Sequence, residues 1–497
     1  MTSIWLDGVQ QPHDDPWLPA APEVVVVGAG LTGLATATLL ARAGVSVAVL
    51  EARTVGAVAT GNTTAKVSLL QGTGYTHLSR HHPTEVVQAY VEANREGQAW
   101  LQRYCADHDL PWQVRDAFTY AASPSEVSAV EQELGASERA GLDVDWVEAA
   151  DVPFPFHGGV RLAAQGQIDP MPVLHALVDD LRRHGGTLHQ GLRVTGISRR
   201  GRPVLHLEDG RRLETDRVVL ATGTPILDRA LHFARLEPER SYGLAYAGVE
   251  PPEGMFLSAG SSSRSVRDLP RPDGSRALLV GGAGHPVGRA SSHVSHVDEL
   301  RAWAGEHFAG ARETHVWSAQ DYTSHDVLPV VGAMPGSGER IFVASGYRKW
   351  GMTNAVAAAR ALSSRLLGGR TDWADVLSSR STSPSDLGRL ASINAKVGAA
   401  MVAGYVAAEA TPVTSAPEPG EAEVGRQGLN PVPVGRSNVD GRECAVVAVC
   451  THLGGALRWN DQERSWDCPL HGSRFAPDGD VLEGPATKPL RAAGANS

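Results

Sequence analysis

Cysteine is scarce in this chain, with four residues among 497. So few cysteines exclude a disulfide scaffold in a protein of this length. Cys105 lies in a predicted helix and is expected to be a small buried apolar residue. The other three, Cys444, Cys450 and Cys468, crowd near the C terminus and need a separate explanation.

Long hydrophobic runs and an excess of basic charge are also missing. No stretch approaches the roughly 20 uninterrupted apolar residues of a membrane span, and Met1–Glu23 has no apolar core of the signal-peptide kind. A formal net charge of −10 argues against a nucleic-acid-binding surface. We therefore expect a cytoplasmic protein with neither a membrane span nor a nucleic-acid partner. The length of 497 residues predicts more than one domain.

What the sequence does contain is a strand, a glycine turn, a helix, a second strand and an acid, in that order, within Val24–Arg53. In such a unit Gly28 permits a tight turn, Gly30 lets the backbone approach a pyrophosphate, and Gly33 lets the helix lie close to the strand. The helix N-terminus then faces the phosphates, and Glu51 is placed to bind a ribose. A bare glycine turn is the alternative, but the complete flanking pattern favours a dinucleotide site.

The rest of the chain alternates between two kinds of pattern. Helices are predicted over Pro83–Asp107, Glu126–Ala140, Ile168–His184, Val297–Phe308 and Asn354–Leu367. Strand-rich blocks lie between them, above all over Ser241–Arg289. This interleaving predicts an α/β fold in which a discontinuous Rossmann-like domain carries an inserted antiparallel sheet. Ala410–Gly420 is rich in proline and small residues and is the expected linker to a C-terminal domain.

Four segments together resemble the FAD-dependent D-amino-acid oxidase/glycine oxidase superfamily over roughly residues 20–370. They are the glycine turn, the small-residue loop Gly56–Gly74, the segment Val218–Gly223 and the strand that runs into Gly346–Thr353. The resemblance implies an FAD-dependent oxidoreductase domain over 1–410. Its nucleotide-binding parts would be about 20–75, 168–225 and 326–370, and its substrate-domain parts about 80–165 and 226–325.

The same resemblance implies which residues bind non-covalent FAD. Thr60–Lys66 would pass beside the flavin, Val194 would meet the adenine, and Gly351–Thr353 would direct a helix N-terminus at the flavin ring. The implied contacts are Gly28, Gly30, Leu31, Thr32, Gly33, Glu51, Ala52, Arg53, Thr60, Thr63, Thr64, Ala65, Lys66, Val194, Thr222, Gly223, Gly346, Trp350, Gly351, Met352 and Thr353. A second glycine-rich stretch, Gly281–Gly288, has the wrong spacing and contains Pro286, so we interpret it as a tight turn rather than an NAD(P)H site.

Near the C terminus, Cys450 and His452 are followed, after fifteen intervening residues, by Cys468 and His471. This C-x-H…C-x-x-H arrangement resembles the Rieske [2Fe–2S] domain, here over about 421–497, in which two cysteines hold one iron and two histidines the other. A Cys₂His₂ zinc site is the alternative. Cys444 is expected in a strand and is not a ligand.

Departures from respiratory Rieske proteins affect the cluster environment. Gly455 and Leu470 occupy the places where those proteins often carry a disulfide. Ser473 is retained and could donate a hydrogen bond to a cluster sulfide, whereas Phe475 stands where a tyrosine is common. Fewer hydrogen bonds predict a potential in the lower part of the range of about −150 to +300 mV.

Residues that face the substrate are harder to assign. Lys349 could meet oxygen or an anionic group near the flavin, or it could be a solvated or phosphate-pairing lysine. Arg348 is adjacent to Lys349, but the sequence does not assign it to a substrate carboxylate. His325 with Asp326 is expected to be a structural pair. His293, His296 and Asp298 could form a two-histidine, one-carboxylate iron site, but solvent-facing roles are favoured.

The combined resemblance, to a bacterial class of flavin–Rieske fusions, predicts a function. We expect an FAD-dependent oxidoreductase that oxidises a small amine, amino acid or related C–N or C–O substrate. Electrons would pass one at a time to the [2Fe–2S] cluster and then to an acceptor, either oxygen or a redox protein. Two alternatives stay open: a reductase component that serves a partner oxygenase, and an enzyme whose C-terminal domain is only structural.

Overall fold

The computed structural model describes residues 1–198, 201–227, 232–271, 273–290, 292–379, 384–413, 417–428 and 430–493. The helices among them are α1 (Leu31–Arg42), α2 (Gly74–His81), α3 (Thr84–Asp107), α4 (Val127–Arg139), α5 (Pro170–Arg183), α6 (Val294–His307), α7 (Gly351–Leu366), α8 (Asp372–Ser378) and α9 (Pro384–Ala410). The strands are β1 (Val24–Val27), β2 (Val47–Leu50), β3 (Lys66–Val67), β4 (Gln113–Tyr120), β5 (Asp145–Val147), β6 (Gly159–Gln167), β7 (Thr187–His189), β8 (Val194–Ile197), β9 (Val204–Leu207), β10 (Arg212–Glu214), β11 (Arg217–Leu220), β12 (Leu236–Ala247), β13 (Met255–Ser258), β14 (Arg264–Pro270), β15 (Arg276–Pro286), β16 (Arg312–Ser324), β17 (Val330–Ala333), β18 (Ile341–Ser345), β19 (Ala422–Gln427), β20 (Asn430–Val439), β21 (Arg442–Val447), β22 (Arg458–Asn460), β23 (Ser465–Asp467), β24 (Arg474–Phe475) and β25 (Val481–Glu483).

A six-stranded sheet in the order β17-β18-β11-β1-β2-β7 forms the first layer of the molecule. Its strands are parallel except β17, which pairs antiparallel with β18. The four valines of β1 are all buried, because helices cover one face of the sheet and the three-stranded sheet β10-β9-β8 covers the other. Helices α1, α5 and α7 pack together against this sheet. The predicted Rossmann-like sheet is therefore present.

A nine-stranded sheet forms the second layer, in the order β16-β12-β15-β14-β13-β4-β6-β3 with β5 added beside β6. All of its pairs are antiparallel except β13 with β4. Its strands come from two separate stretches of the chain, β3 to β6 and β12 to β16, which flank strands of the parallel sheet in sequence. The α/β class with an inserted, largely antiparallel sheet is confirmed.

The C-terminal region is all-β, also as expected. It contains a three-stranded sheet, β19-β20-β21, and a four-stranded sheet, β22-β23-β24-β25. Trp466 and Phe475 are fully buried at the centre of its hydrophobic core. Within the expected linker, Pro412 forms an isolated bridge with Arg426, and residues 414–416 lie outside the described residues.

The glycine-rich stretch that begins at Gly281 is not the tight turn that we expected. Residues 281–286 continue strand β15, which pairs with β12 on one side and β14 on the other. Glycine is needed there because a Cβ on Gly282 would lie 2.2 Å from the Ser263 carbonyl oxygen. The glycines therefore allow neighbouring strands to approach closely, and no glycine turn followed by a helix forms at this point.

Helix α9 was not anticipated. It corrects the expectation that no segment of the chain comes close to the apolar length of a membrane span. By length and composition alone, the segment Asp386–Ala410 is long and apolar enough to cross a membrane. Of its most apolar 18-residue stretch, 11% is buried in the protein. Its many alanines raise the mean hydropathy here without forming a run of large apolar side chains. The helix packs on the C-terminal domain, where Tyr405 donates a hydrogen bond to the Gly454 carbonyl (2.7 Å) and Gly404 approaches Ala456.

Candidate functional site

The glycine turn between β1 and α1 has the geometry that the sequence predicts. Gly28 has φ +109°, and a Cβ there would lie 2.5 Å from the Ala221 carbonyl oxygen. A Cβ on Gly33 would lie 1.9 Å from the Gly28 carbonyl oxygen, so only glycine lets α1 lie this close to the strand. Gly30 caps the helix without a side-chain hydrogen bond, which leaves the N-terminus of α1 as a site suited to phosphate.

Glu51 stands at the end of β2 beside this turn. Its carboxylate accepts hydrogen bonds from the backbone N–H groups of Ala29 and Arg53, both at 2.8 Å. Burial raises the pKa of Glu51, an effect that these hydrogen bonds and Arg53 oppose. The carboxylate is thus held in place at the cavity wall, where the ribose of a dinucleotide would meet it.

One cavity of about 680 Å³ opens above the ends of the parallel strands and extends to the inserted sheet. Its volume is in the range of cofactor and substrate sites. The predicted FAD contacts that line it are Gly28, Gly30, Leu31, Thr32, Glu51, Ala52, Arg53, Thr60, Thr63, Thr64, Lys66, Val194, Thr222, Gly223, Gly346, Trp350, Gly351 and Met352. Sequence reasoning missed further lining residues, among them Arg193, Trp317, Asp321 and Tyr322, because no local motif marks them.

Three predicted contacts do not line the cavity. Gly33 is in the first turn of α1, on the side that packs against Gly28, and Ala65 is fully buried with φ +55°. Thr353 is buried in α7, where its hydroxyl donates a hydrogen bond to Asn94. Their positions support the cavity wall from behind rather than forming it.

A cationic corner forms another part of the wall. Arg348, with φ +50°, lines the cavity together with His77 and Arg389. Burial lowers the pKa of Arg348, and burial together with Arg348 lowers the pKa of His77 to about 4, so this imidazole is neutral at physiological pH. Within the part of the chain that the structure describes, the Arg348 guanidinium makes no hydrogen bond or ion pair. The sequence showed Arg348 only as a neighbour of Lys349.

Lys349, the candidate catalytic residue, lies at the edge of the cavity. Its side chain is 45% exposed and its Nζ is 3.3 Å from Glu239 Oε2. Its backbone N–H donates a hydrogen bond to the Asp321 carboxylate, whose pKa burial raises to about 6. The lysine is therefore part of an ion pair and not a free cation.

Lys66 is buried in the cavity wall. Its Nζ donates hydrogen bonds to the Phe256 carbonyl (3.1 Å) and to Ser265. Burial, assisted by Arg267, lowers the pKa of Lys66 to about 7. His325 and Asp326 are buried outside the cavity, where the Asp326 carboxylate accepts a hydrogen bond from Ser324 (3.0 Å), consistent with a structural role.

The C-terminal loops bring the four expected cluster ligands together as two pairs. Each loop is closed by backbone hydrogen bonds, Gly454 N–H to the Cys450 carbonyl (3.0 Å) and Gly472 N–H to the Cys468 carbonyl (3.2 Å). Cys450 and Cys468 are both buried in the core of this domain, a Cβ on Gly455 of one loop would lie 3.2 Å from Cys468 Sγ of the other, and the His452 and His471 rings are 5.3 Å apart. Ser473 is fully buried beside these loops, where its hydroxyl accepts a hydrogen bond from the Ala486 backbone N–H (3.0 Å).

This arrangement fits a binuclear cluster better than a single zinc ion. Among the described residues no group of three or more His, Cys, Asp or Glu gathers around one point. A Rieske cluster needs only two protein ligands for each iron, whereas a tetrahedral zinc site needs four around one ion. Cys444 lies in β21, away from the ligand set, as expected.

His293, His296 and Asp298 do not form an iron site. His293 was expected to face solvent, but it is buried. His293 is only 2% exposed, and its Nδ1 is 3.3 Å from Asp461 of the C-terminal domain. It is buried because the start of α6 abuts that domain. Asp298 is exposed and pairs with Arg301, while the His296 ring stacks on His285 at 4.4 Å.

A Rossmann-type sheet with a dinucleotide turn, joined to a pair of Cys–His loops, defines a flavoprotein fused to an iron–sulfur domain. The family model described as FAD dependent oxidoreductase matches residues 23–365, and the Rieske [2Fe-2S] domain model matches residues 409–493. The chain belongs to the FAD dependent oxidoreductase family and carries a C-terminal Rieske domain. Its cofactors are FAD and a Rieske-type [2Fe–2S] cluster.

Relatives of known sequence and structure agree with this assignment. The chain is 31% identical over 501 residues to the Rieske 2Fe-2S iron-sulfur protein YhfW of Bacillus subtilis (strain 168), with 96% of this chain and 95% of that protein covered. The fold resembles L-proline dehydrogenase from P. horikoshii (TM-score 0.60, 15% identity, 72% of this chain and 96% of that one). It also resembles glycine oxidase from Geobacillus kaustophilus (TM-score 0.59, 18% identity, 71% and 96%).

Proposed function

We propose that this enzyme oxidises a small amino acid or a related amine that carries a carboxylate, and that the electrons leave through the Rieske cluster. The observation that carries the substrate class is the guanidinium of Arg348, which lines the cavity and makes no hydrogen bond or ion pair with the described residues. Glu133 and Glu239 act on its charge at longer range. A half-buried guanidinium of this kind can bind a carboxylate through two parallel hydrogen bonds. Arg389 adds positive charge at the same corner.

The names of the structural neighbours support the same class. L-proline dehydrogenase and glycine oxidase are named for amino-acid substrates, and so is the L-amino acid deaminase of Proteus myxofaciens, which has a TM-score of 0.57. At 15 to 18% identity these likenesses describe the fold alone. The choice of an amino acid therefore depends on the cationic corner of this chain.

The chain's own residues would hold FAD along the cavity. Gly28 and Gly30 would allow the pyrophosphate to approach α1, and Glu51 would accept hydrogen bonds from the ribose hydroxyls. Gly351 begins α7 at the cavity wall. The N-terminus of α7 would stabilise negative charge on a flavin ring beside it. When bound, FAD supplies a two-electron acceptor for a C–H bond next to nitrogen.

The thiolates of Cys450 and Cys468 would hold one iron, and the imidazoles of His452 and His471 would hold the other. The domain boundaries given above, with the Rieske domain over 421–497, belong to the same proposal. A reductase that loads the cluster for a partner oxygenase would need a second nucleotide site. The best sequence candidate for such a site is part of strand β15, which favours direct oxidation of a substrate.

The test is an anaerobic reaction of the purified protein with a panel of L- and D-amino acids and of amines without a carboxylate, followed by flavin absorbance. In Arg348→Leu we expect kcat/KM for the carboxylate substrates to fall about a hundredfold, because their anionic group loses its charged partner. Arg365→Leu, which removes an exposed arginine on α7, is the matched control. Equal activity of both variants would refute the assigned carboxylate site, and rapid reduction by NADH or NADPH would favour the reductase.

We infer a cytoplasmic location. The helix that is apolar enough to span a membrane, α9, lies against the C-terminal domain, and Asn394 donates a hydrogen bond to the Ala234 carbonyl (3.0 Å). Fractionation of cells followed by an alkaline carbonate wash tests this location. Recovery of the protein in the washed membrane pellet would show instead that α9 inserts.

A further inference from the structure

The Rieske cluster loops contact the flavoprotein part of this chain closely. A Cβ on Gly288, in the loop before α6, would lie 2.8 Å from the Pro469 nitrogen, and Arg289 Nε donates a hydrogen bond to the Pro469 carbonyl at 3.0 Å. The ring of Phe233 meets His452 and His471 edge-on, with centroids 5.4 and 4.9 Å away. Both ligand loops are therefore packed against another part of the chain.

Gln320 connects the cavity with one of these loops. It is 2% exposed on β16, and its side-chain amide donates hydrogen bonds to the Tyr322 hydroxyl (2.7 Å) and to the Gly472 carbonyl (2.8 Å). Gln320 and Tyr322 line the cavity, while Gly472 directly follows the cluster ligand His471. One side chain thus joins the cavity wall to the loop that holds an iron ligand.

The fit around Gly472 leaves no space for the loop to shift inward. A Cβ there would lie 2.6 Å from Pro238 Cβ and 2.7 Å from Gln320 Nε2. Glu483 and Thr487, from the same domain, line the flavin cavity itself. The C-terminal domain is therefore part of the cavity wall and not a neighbour connected only by a linker.

Buried ion pairs hold the two parts in this arrangement. Arg240, 1% exposed, contacts Glu463 (2.8 Å) and Glu483 (3.1 Å) of the C-terminal domain. Both acids also contact Arg474, at 2.6 and 3.6 Å. Undocking the domain would separate these charges and expose the cluster loops, so a swinging movement would have to break the whole contact.

We propose that the Rieske domain functions permanently docked, with Gln320 as the positioning residue that joins the flavin cavity to the His471 loop, so that electrons reach the cluster without domain movement. The proposal rests on the proposed flavin-to-cluster function. Each transfer carries one electron, so the donor in the cavity loses one electron and one ferric ion becomes ferrous. A two-electron substrate oxidation needs two such transfers, with an external one-electron acceptor oxidising the cluster between them.

The experiment uses the holoprotein and flash photoreduction with 5-deazariboflavin, so that no substrate is required. Flavin and cluster absorbance follow the intramolecular equilibration of electrons. A permanently docked domain predicts a rate that is independent of solvent viscosity when sucrose is added. A rate that falls as viscosity rises would show that the domain must move, and would overturn the proposal. Since no amino acid is present, a wrong substrate assignment would leave this result unchanged.

Gln320→Leu tests the connecting residue. The variant keeps side-chain bulk but loses the hydrogen bonds with Tyr322, Gly472 and Arg240, and we expect the transfer rate to fall about tenfold because the loop loses its exact placement. The midpoint potential and electron paramagnetic resonance spectrum of the cluster should stay unchanged, which a general structural defect would not allow. Gln427→Leu, at an exposed position on β19, is the matched control.

A second variant keeps the test decisive if Gln320→Leu does not assemble its cluster. Tyr322→Phe removes one hydroxyl and leaves the Gln320–Gly472 hydrogen bond in place. We expect a smaller fall in the transfer rate than in Gln320→Leu, with the potential again unchanged. Wild-type rates in both Gln320→Leu and Tyr322→Phe, or in Tyr322→Phe alone if the first cannot be loaded, would overturn the role of Gln320.

Discussion

The buried ion pairs between the two domains predict a large effect from a single substitution, Arg240→Met. The Arg240 guanidinium donates to Glu463 at 2.8 and 3.0 Å, to Gln320 at 2.8 Å and to Glu483 at 3.1 Å, with 1% of its side chain exposed. Methionine fills similar space but leaves both glutamates with Arg474 as their remaining cation in this cluster. Removing one partner from a buried charge cluster costs about 3–5 kcal/mol.

The electrostatic environment of Glu463 supports this magnitude. Burial by itself would raise the pKa of Glu463, but Arg240 and Arg474 outweigh it and lower the pKa from 4.5 to about 2. A decrease of about 2.5 pKa units corresponds to roughly 3 kcal/mol of preference for the ionised form in the folded protein. Arg240 contributes more than Arg474 to this lowering, so much of the preference should be lost without it.

The assay is urea unfolding of the holoprotein at neutral pH, followed by two signals. Visible circular dichroism of the iron–sulfur chromophore reports the C-terminal domain, and flavin fluorescence reports the FAD-binding domain. In Arg240→Met we expect the free energy of unfolding of the C-terminal domain to fall by about 3–5 kcal/mol, so that its transition precedes the flavin transition. The wild-type transitions should lie closer together.

The matched control is Arg464→Met, which removes an arginine of the same domain from an exposed pair with Asp440 (2.7 Å, side chains 47% and 82% exposed). A surface pair of this kind contributes about 0–1 kcal/mol. If Arg240→Met also costs less than about 1 kcal/mol, or if its two transitions remain coincident, the buried ion pairs do not hold the domains together.

Three further predictions concern the cofactors and the pH dependence. Cys450→Ser should abolish the bound iron while FAD is retained, whereas Cys444→Ser should keep both, as iron and flavin analyses would show; zinc instead of iron in the wild type would contradict the ligand assignment. Gly33→Ala should weaken FAD binding by about ten- to a hundredfold, because overpacking beside the turn costs about 1–3 kcal/mol; a flavin titration with an unchanged Kd would refute this role. The pKa of Glu463 is depressed in the folded protein, so its stabilisation is present above pH 4.5 and is lost as pH falls towards 2. Between pH 5 and pH 3 the wild type should lose about 2 kcal/mol more unfolding free energy than Glu463→Gln, and parallel profiles would contradict it.

The elements that the sequence determined by itself are those whose chemistry lies within one short segment. The turn from Gly28 to Gly33 and the acid Glu51 belong to one strand–helix–strand unit, so their spacing alone defines a phosphate-binding geometry. The two ligand loops, Cys450–His452 and Cys468–His471, are likewise local, and their resemblance to Rieske loops predicted the cluster type. Such features can be predicted from the sequence because the connectivity of a short backbone segment fixes their geometry.

Local patterns failed where neighbouring segments change the meaning of a sequence. The glycines after Val280 suggested a turn, but close packing against β14 and β12 makes them part of a strand. His293 looked like a solvent-facing residue of a surface helix, but the C-terminal domain covers it. Helix α9 has no strong apolar periodicity, and its place became evident only from its contacts with the Rieske domain.

Only the tertiary structure decided how the two halves of the protein work together. Gln320 and Gly472 are 152 positions apart, and Arg240 and Glu463 are 223 positions apart. Arg348 faces the cavity because of a positive φ and the packing around it, neither of which a single sequence reveals. Side chains this distant in the chain meet because two sheets and the Rieske domain pack against one another, and no spacing rule encodes that packing.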